Sequence, residues 1–145
     1  MKDIRNRPAY LLHSLVARLD VAADAMLRAE HDIGYARFLV LLTVERLGAP
    51  TQRELATAQG VSEPAMSRTV SALAAEGHVD VVTTPGRGHR RSVTLSPDGQ
   101  RLVEQGSDLL ESAFALLAEH ADVSLDDVTA LSTALLSSLE AVSAR

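Results

Sequence analysis

Apolar residues recur along this chain at helical spacing. Leu12, Leu15, Leu19, Ala22 and Met26 follow one another in steps of three and four, which puts all five on one face of a helix. Arg18, Asp20, Asp24 and Arg28 fall off that stripe, and the pattern predicts a long helix over residues 9–30. Gly34 interrupts it. Phe38, Leu41, Leu42 and the stretch from Val44 to Leu47 then predict a second helix, apolar over much of its circumference and so buried, which ends at Gly48-Ala49-Pro50. Thr51-Gln52-Arg53-Glu54 has the residues of a capping box, in which the Thr51 hydroxyl takes one free helix N–H and Glu54 reaches back to another. The short helix it opens turns Leu55 and Ala56 inward and stops at Gly60. Ser62 caps the next helix, with Pro64 in the first turn, where its missing N–H costs little.

Projected at about 100° per residue, that next helix has two faces. Met66, Val70 and Leu73 cluster on one; Pro64, Arg68 and Ser71 point to the other, with Ala65 and Ser67 at its edges. Beyond Gly77, the β-branched runs 79–84 and 92–95 flank Pro85-Gly86-Arg87-Gly88-His89-Arg90-Arg91, the pattern of a β-hairpin with a basic tip. Ser96-Pro97-Asp98 restarts a helix, and Leu102, Gly106, Leu109, Phe114 (or Ala113), Leu117 and His120 continue one stripe along it. Ser124-Leu125-Asp126-Asp127 opens the last helix, whose stripe is Val128, Leu131, Leu135, Leu139 and Val142. The fold class expected is mainly α with a small β-hairpin wing, an α+β arrangement. A winged helix-turn-helix over 33–96 is flanked by helical dimerisation regions at 9–30 and 97–143, all within one domain of 145 residues.

Charge changes the picture of this middle segment. The formal net charge is −5, which looks wrong for a partner of nucleic acid. It is unevenly spread: residues 1–50 and 51–101 each carry +1, residues 102–145 carry −7, and within the middle part 83–101 carries +3. An acidic tail hides a local basic patch, and the local field decides which polyanion can approach. A second helix of a helix-turn-helix enters the major groove with its N-terminal half against base edges. Small side chains at Ser62, Pro64, Ala65, Ser67 and Ser71 allow close approach, while Arg68 can fork onto guanine or grip a phosphate. Arg87, Arg90 and Arg91, with His89 beside them, can reach a narrow minor groove from the loop tip. Arg90 is the first choice for the inserted side chain, with Arg87 and Arg91 close behind. The leucine stripes at both ends exceed what a winged helix can cover. Pairing of two copies across a twofold axis would bury them, and an intrachain bundle is the other way to do so.

In this order of elements the chain resembles the MarR (multiple antibiotic resistance regulator) family of dimeric winged-helix repressors. The resemblance runs from Ala9 to Val142. It is carried by Arg37-Phe38-Leu39-Val40-Leu41, Thr51-Gln52-Arg53-Glu54-Leu55-Ala56, Gly60-Val61-Ser62, Ser67-Arg68-Thr69-Val70-Ser71-Ala72-Leu73, Glu76-Gly77-His78-Val79 and Val93-Thr94-Leu95-Ser96-Pro97-Asp98-Gly99. It implies a transcriptional regulator, usually a repressor, with its recognition helix at 62–76 and its wing at 79–95. It also implies a homodimer on a pseudo-palindromic operator of double-stranded DNA. Many members of the family release DNA when a small molecule enters a cleft between the dimer helices and the winged helix. The family's wing commonly holds an aspartate followed by arginines; here the loop has no acid, so which arginine enters the groove stays open.

Other chemistry finds little support in the residues. There is no cysteine, which excludes disulfides, thiolate zinc sites, a cysteine nucleophile and thiol redox sensing. His13, His31, His78, His89 and His120 form no compact metal-ligand motif. No phosphate-binding glycine loop and no nucleophile elbow is present, so neither a cofactor nor an enzymatic activity is expected. A sensor pocket for a small-molecule effector would draw on His13, Tyr35, Arg37 and Phe38, although the same four fit core, capping or interface roles. The longest apolar run, Ala113 to Ala118, is far short of a membrane span, and no signal-peptide pattern follows Met1, so a cytoplasmic protein without membrane contact is expected. The rival reading is a helical dimer whose winged helix docks a protein partner instead of DNA.

Overall fold

Helix-starting residues set the element boundaries. The structure, a computed structural model, describes residues 3–84 and 90–144. After a 3-10 turn at Ile4–Asn6, Pro8 opens the long helix α1 (Pro8–His31), and Gly34 precedes α2 (Tyr35–Leu47). Next come α3 (Gln52–Gln59), α4 (Glu63–Ala75), the strands β1 (Val79–Thr84) and β2 (Arg90–Leu95), α5 (Pro97–His120) and α6 (Leu125–Ser143). The mainly helical fold with one antiparallel hairpin is the one expected. The expected hairpin is longer by two residues, because Arg90 and Arg91 pair with Thr84 and Thr83 in the register that sets Val79 opposite Leu95. Both arginine side chains are exposed, so their charge does not oppose the pairing.

The chain divides into two compact units, Met1–Ser107 and Asp108–Arg145. In the first, Leu27, Phe38, Leu41, Val44, Leu55, Val70, Leu73 and Val93 are wholly buried and make the core. Five of these eight come from α1, α2 and α3, three of them from the buried face of α2. Phe38 lies so close to α5 that a Cβ at Gly106 would stand 2.5 Å from its ring. Glycine at that point is a packing requirement. The entry to α2 has a similar logic. Gly34 has no side chain to cap the helix, and Asp24 of α1 supplies the acceptor, taking the Tyr35 N–H at 2.8 Å while Arg28 holds its other oxygen at 2.7 Å. Arg28 and that N–H keep the Asp24 carboxyl below the usual carboxylate range.

No position of the stripe expected along α1 is fully buried: Leu19 and Met26 are half-buried, while Leu12, Leu15 and Ala22 are exposed together with Tyr10, Leu11 and Val16. The buried positions of α1 are instead Ala23 and Leu27, each one residue beyond a stripe position. The second unit carries the rest of α5 and α6. Ser124 caps α6, its hydroxyl oxygen accepting the Asp127 N–H at 3.4 Å, and Asp126 and Asp127 sit at the positive end of the helix dipole. Leu131, Leu135, Leu136, Leu139 and Val142 are half or more exposed, Val142 at 71%. Among the described residues, no helix is long and apolar enough to cross a membrane.

Candidate nucleic-acid interface

The helix-turn-helix is built by local capping. The Thr51 hydroxyl oxygen accepts the Glu54 N–H at 3.2 Å, and Glu54 Oε2 accepts the Thr51 N–H at 2.7 Å and its O–H at 3.1 Å, closing the expected capping box. Gly60 ends α3 with φ at +65°, a left-handed conformation that favours glycine. Two residues later the Ser62 hydroxyl oxygen accepts the Ala65 N–H at 3.2 Å, and α4 begins. A turn this short fixes the crossing of α3 and α4. Gln59 adds a side-chain tie, donating at 2.6 Å to the hydroxyl of buried Thr43 on α2.

With α4 held in this way, its two faces separate as its sequence requires. Met66, Val70 and Leu73 are buried. Ser62, Pro64, Arg68 and Ser71 are exposed, and Ala65 and Ser67 are half-buried at the margin. The outward face is thus small, polar and singly cationic. Among the described residues, Arg68 has no carboxylate partner, while Arg53 of α3 reaches Glu63 in the first turn of α4 at 3.8 Å.

The wing is fastened to the same place. Val93 donates its N–H to the Pro50 carbonyl at 2.7 Å, and Ser92 pairs with Thr51, so the segment before α3 lies against β2. At the outer end of β2, Arg90 Nη2 reaches Glu54 Oε2 at 3.3 Å. Glu54 is therefore shared between the α3 cap and the wing, and its carboxyl is held below its usual range, first by the Thr51 N–H, then by the Thr51 hydroxyl, with a smaller effect from Arg90. Arg91 is exposed and, among the described residues, has no carboxylate partner. The expected loop residues Arg87 and His89 lie outside the described residues. Sequence reasoning missed Glu54 and Glu63 as carboxylates that meet the interface arginines. The capping box pointed to Glu54, but nothing local could pair it with a residue 36 positions away.

This arrangement is shared with known proteins. The model of the MarR family matches residues 31–92. Sequence comparison with curated proteins finds no match. Among solved structures, the fold superposes on a MarR family transcriptional regulator from Silicibacter pomeroyi with a TM-score of 0.81 at 21% identity, covering 98% of this chain and 93% of that one. Wild-type MarR from E. coli in its apo form gives 0.75 at 24% identity, covering 92% and 97%. A mutant E. coli MarR complexed with operator DNA gives 0.72 at 25% identity, covering 95% and 99%. Residues 31–92 thus match the MarR family, and the chain has the winged-helix fold of MarR-family regulators of known structure.

The residues considered for an effector site differ in their exposure. Phe38 is wholly buried in the core. Its neighbour Arg37 faces outward and donates to Glu76 at the end of α4, at 2.6 Å. Tyr35 is half-buried at the head of α2, and burial pushes its hydroxyl up, with Asp20 adding to the effect. His13 is exposed on α1. His78 stands 3.9 Å from Glu76, with its Nδ1 buried and without a hydrogen-bond partner among the described residues. Arg37, Glu76 and His78 thus join the head of α2 to the junction of α4 and β1.

Proposed function

We propose that this chain is a DNA-binding transcriptional regulator that works as a homodimer. The observation that carries the reading is that α4, which bears the small, polar, arginine-bearing face, and the base of an arginine-bearing wing are both tied to the head of α3. Two ion pairs, Arg53–Glu63 and Arg90–Glu54, connect the first turns of α4 and α3 and the wing base in series. A single duplex can therefore meet all three elements. In this reading α4 enters the major groove, with Arg68, Ser62, Pro64, Ala65, Ser67 and Ser71 against base edges and phosphates. The wing carries Arg91 to the neighbouring backbone or minor groove, with Arg87 and His89 assigned by sequence alone. The likeness to an E. coli MarR complexed with operator DNA supports DNA binding.

The exposed leucines of α1 and α6 support pairing of two copies, which would present two recognition helices to a pseudo-palindromic site. Repression, release by a small-molecule effector and a cytoplasmic location complete the proposal. A gel shift with the intergenic DNA beside the chain's own gene tests it. A retarded band that unrelated competitor DNA does not abolish is expected. Absence of any complex at low salt would overturn the reading.

A further inference from the structure

The wing base holds a cation that is already occupied. Arg90 and Arg91 are adjacent on β2, both are exposed, and only Arg90 reaches a carboxylate among the described residues. An exposed ion pair is ordinarily weak, because two long side chains must be ordered to make it. Here much of that ordering is done by other contacts. The Glu54 carboxylate is fixed by the N–H and O–H of Thr51, and Arg90 stands on a paired strand whose neighbour Ser92 is bound to Thr51 itself. The pair borders an open hollow of about 530 Å³ whose walls include Arg46, Arg53, Glu54, Thr57 and Arg90. Among the described residues that line it, Glu54 is the one carboxylate.

We propose that Glu54 is a positioning residue for Arg90: it holds the Arg90 guanidinium at the head of α3, away from the duplex, and leaves the phosphate contact to Arg91. This rests on the DNA-binding reading above and divides the wing's arginines into an anchor and a contact. It proposes a different order from the one drawn from sequence, in which Arg90 came first for the groove.

The test is the salt dependence of binding to the intergenic duplex, read by fluorescence anisotropy for the full chain. Each phosphate neutralised contributes about 0.9 to the slope of log affinity against log salt. R91A should flatten the slope by about 0.9, whereas R90A should leave it unchanged. E54Q keeps an acceptor for the α3 cap but removes the charge that holds Arg90. It should steepen the slope by about 0.9 as Arg90 is freed to reach a phosphate, and the double variant E54Q/R90A should lose that gain. NMR titration of Glu54 should show its carboxyl moving upward in R90A. A slope flattened by R90A in the parent background, a slope unmoved by E54Q, or a Glu54 titration indifferent to R90A would each overturn the inference. Should E54Q not fold, R90A decides alone, since its side chain is exposed. A parent chain that binds no duplex would instead overturn the proposed function, and the inference with it.

Discussion

Arg68 is the residue on which the proposed recognition surface turns, because it is the cation on the outward face of α4 and no described carboxylate competes for it. If it reads a base, R68A should cost about 1–3 kcal/mol of operator affinity and relax discrimination at one base pair. Anisotropy titrations on the operator and on single-base variants check this; an unchanged affinity would remove Arg68 from the interface. At Gly106 the question is space. A Cβ there meets the Phe38 ring at 2.5 Å and Leu27 at 3.2 Å, both wholly buried, so G106A should destabilise the fold by about 1–3 kcal/mol in urea unfolding. Asp24 supplies a pH effect. Its carboxyl is depressed in the folded chain by Arg28 and the Tyr35 N–H, so its contribution is present above the unfolded value near 3.8 and is lost as pH falls through the lower folded value. Thermal melts of D24N should therefore differ from the parent at neutral pH and converge on it in acid; a constant difference across that range would contradict the assignment.

At the scale of elements, capping does most of the ordering. The loss of Thr51's two side-chain bonds in T51A should cost about 1 kcal/mol and loosen the wing together with α3, because Glu54, left with the Thr51 N–H alone, serves both. Hydrogen exchange at Ser92 and Val93 reads the second effect. Much of this was legible in the sequence. Thr51, Ser62 and Ser124 announce their helices within four residues, and the 3.6-residue period separates Met66, Val70 and Leu73 from Ser62, Arg68 and Ser71. Contacts between distant elements were not legible. Arg37 meets Glu76 across 39 residues and Arg90 meets Glu54 across 36, and exposed charges leave no periodic trace of their partners. The cap of α2 was hidden for the same reason, since the acceptor comes from Asp24 on the preceding helix and Gly34 offers no clue.

At the scale of the whole molecule, two quantities pull against each other. The net charge of −5 repels a duplex at long range, while α4 and the wing offer a local cationic surface. The exposed apolar residues on α1 and α6 are the other signature, and in the proposed dimer they are covered by a second copy. Sedimentation equilibrium of the paired variant L135E/L139E should then show a monomer where the parent sediments as a dimer, and operator binding should weaken with it. The most direct measurement of the central claim is the affinity of the purified parent chain for the intergenic duplex over a range of salt concentrations. The account predicts specific binding whose logarithm falls linearly with log salt, with a slope made shallower by R91A and an affinity lowered by R68A. Binding that is absent at low salt, or indifferent to both arginines, would contradict it.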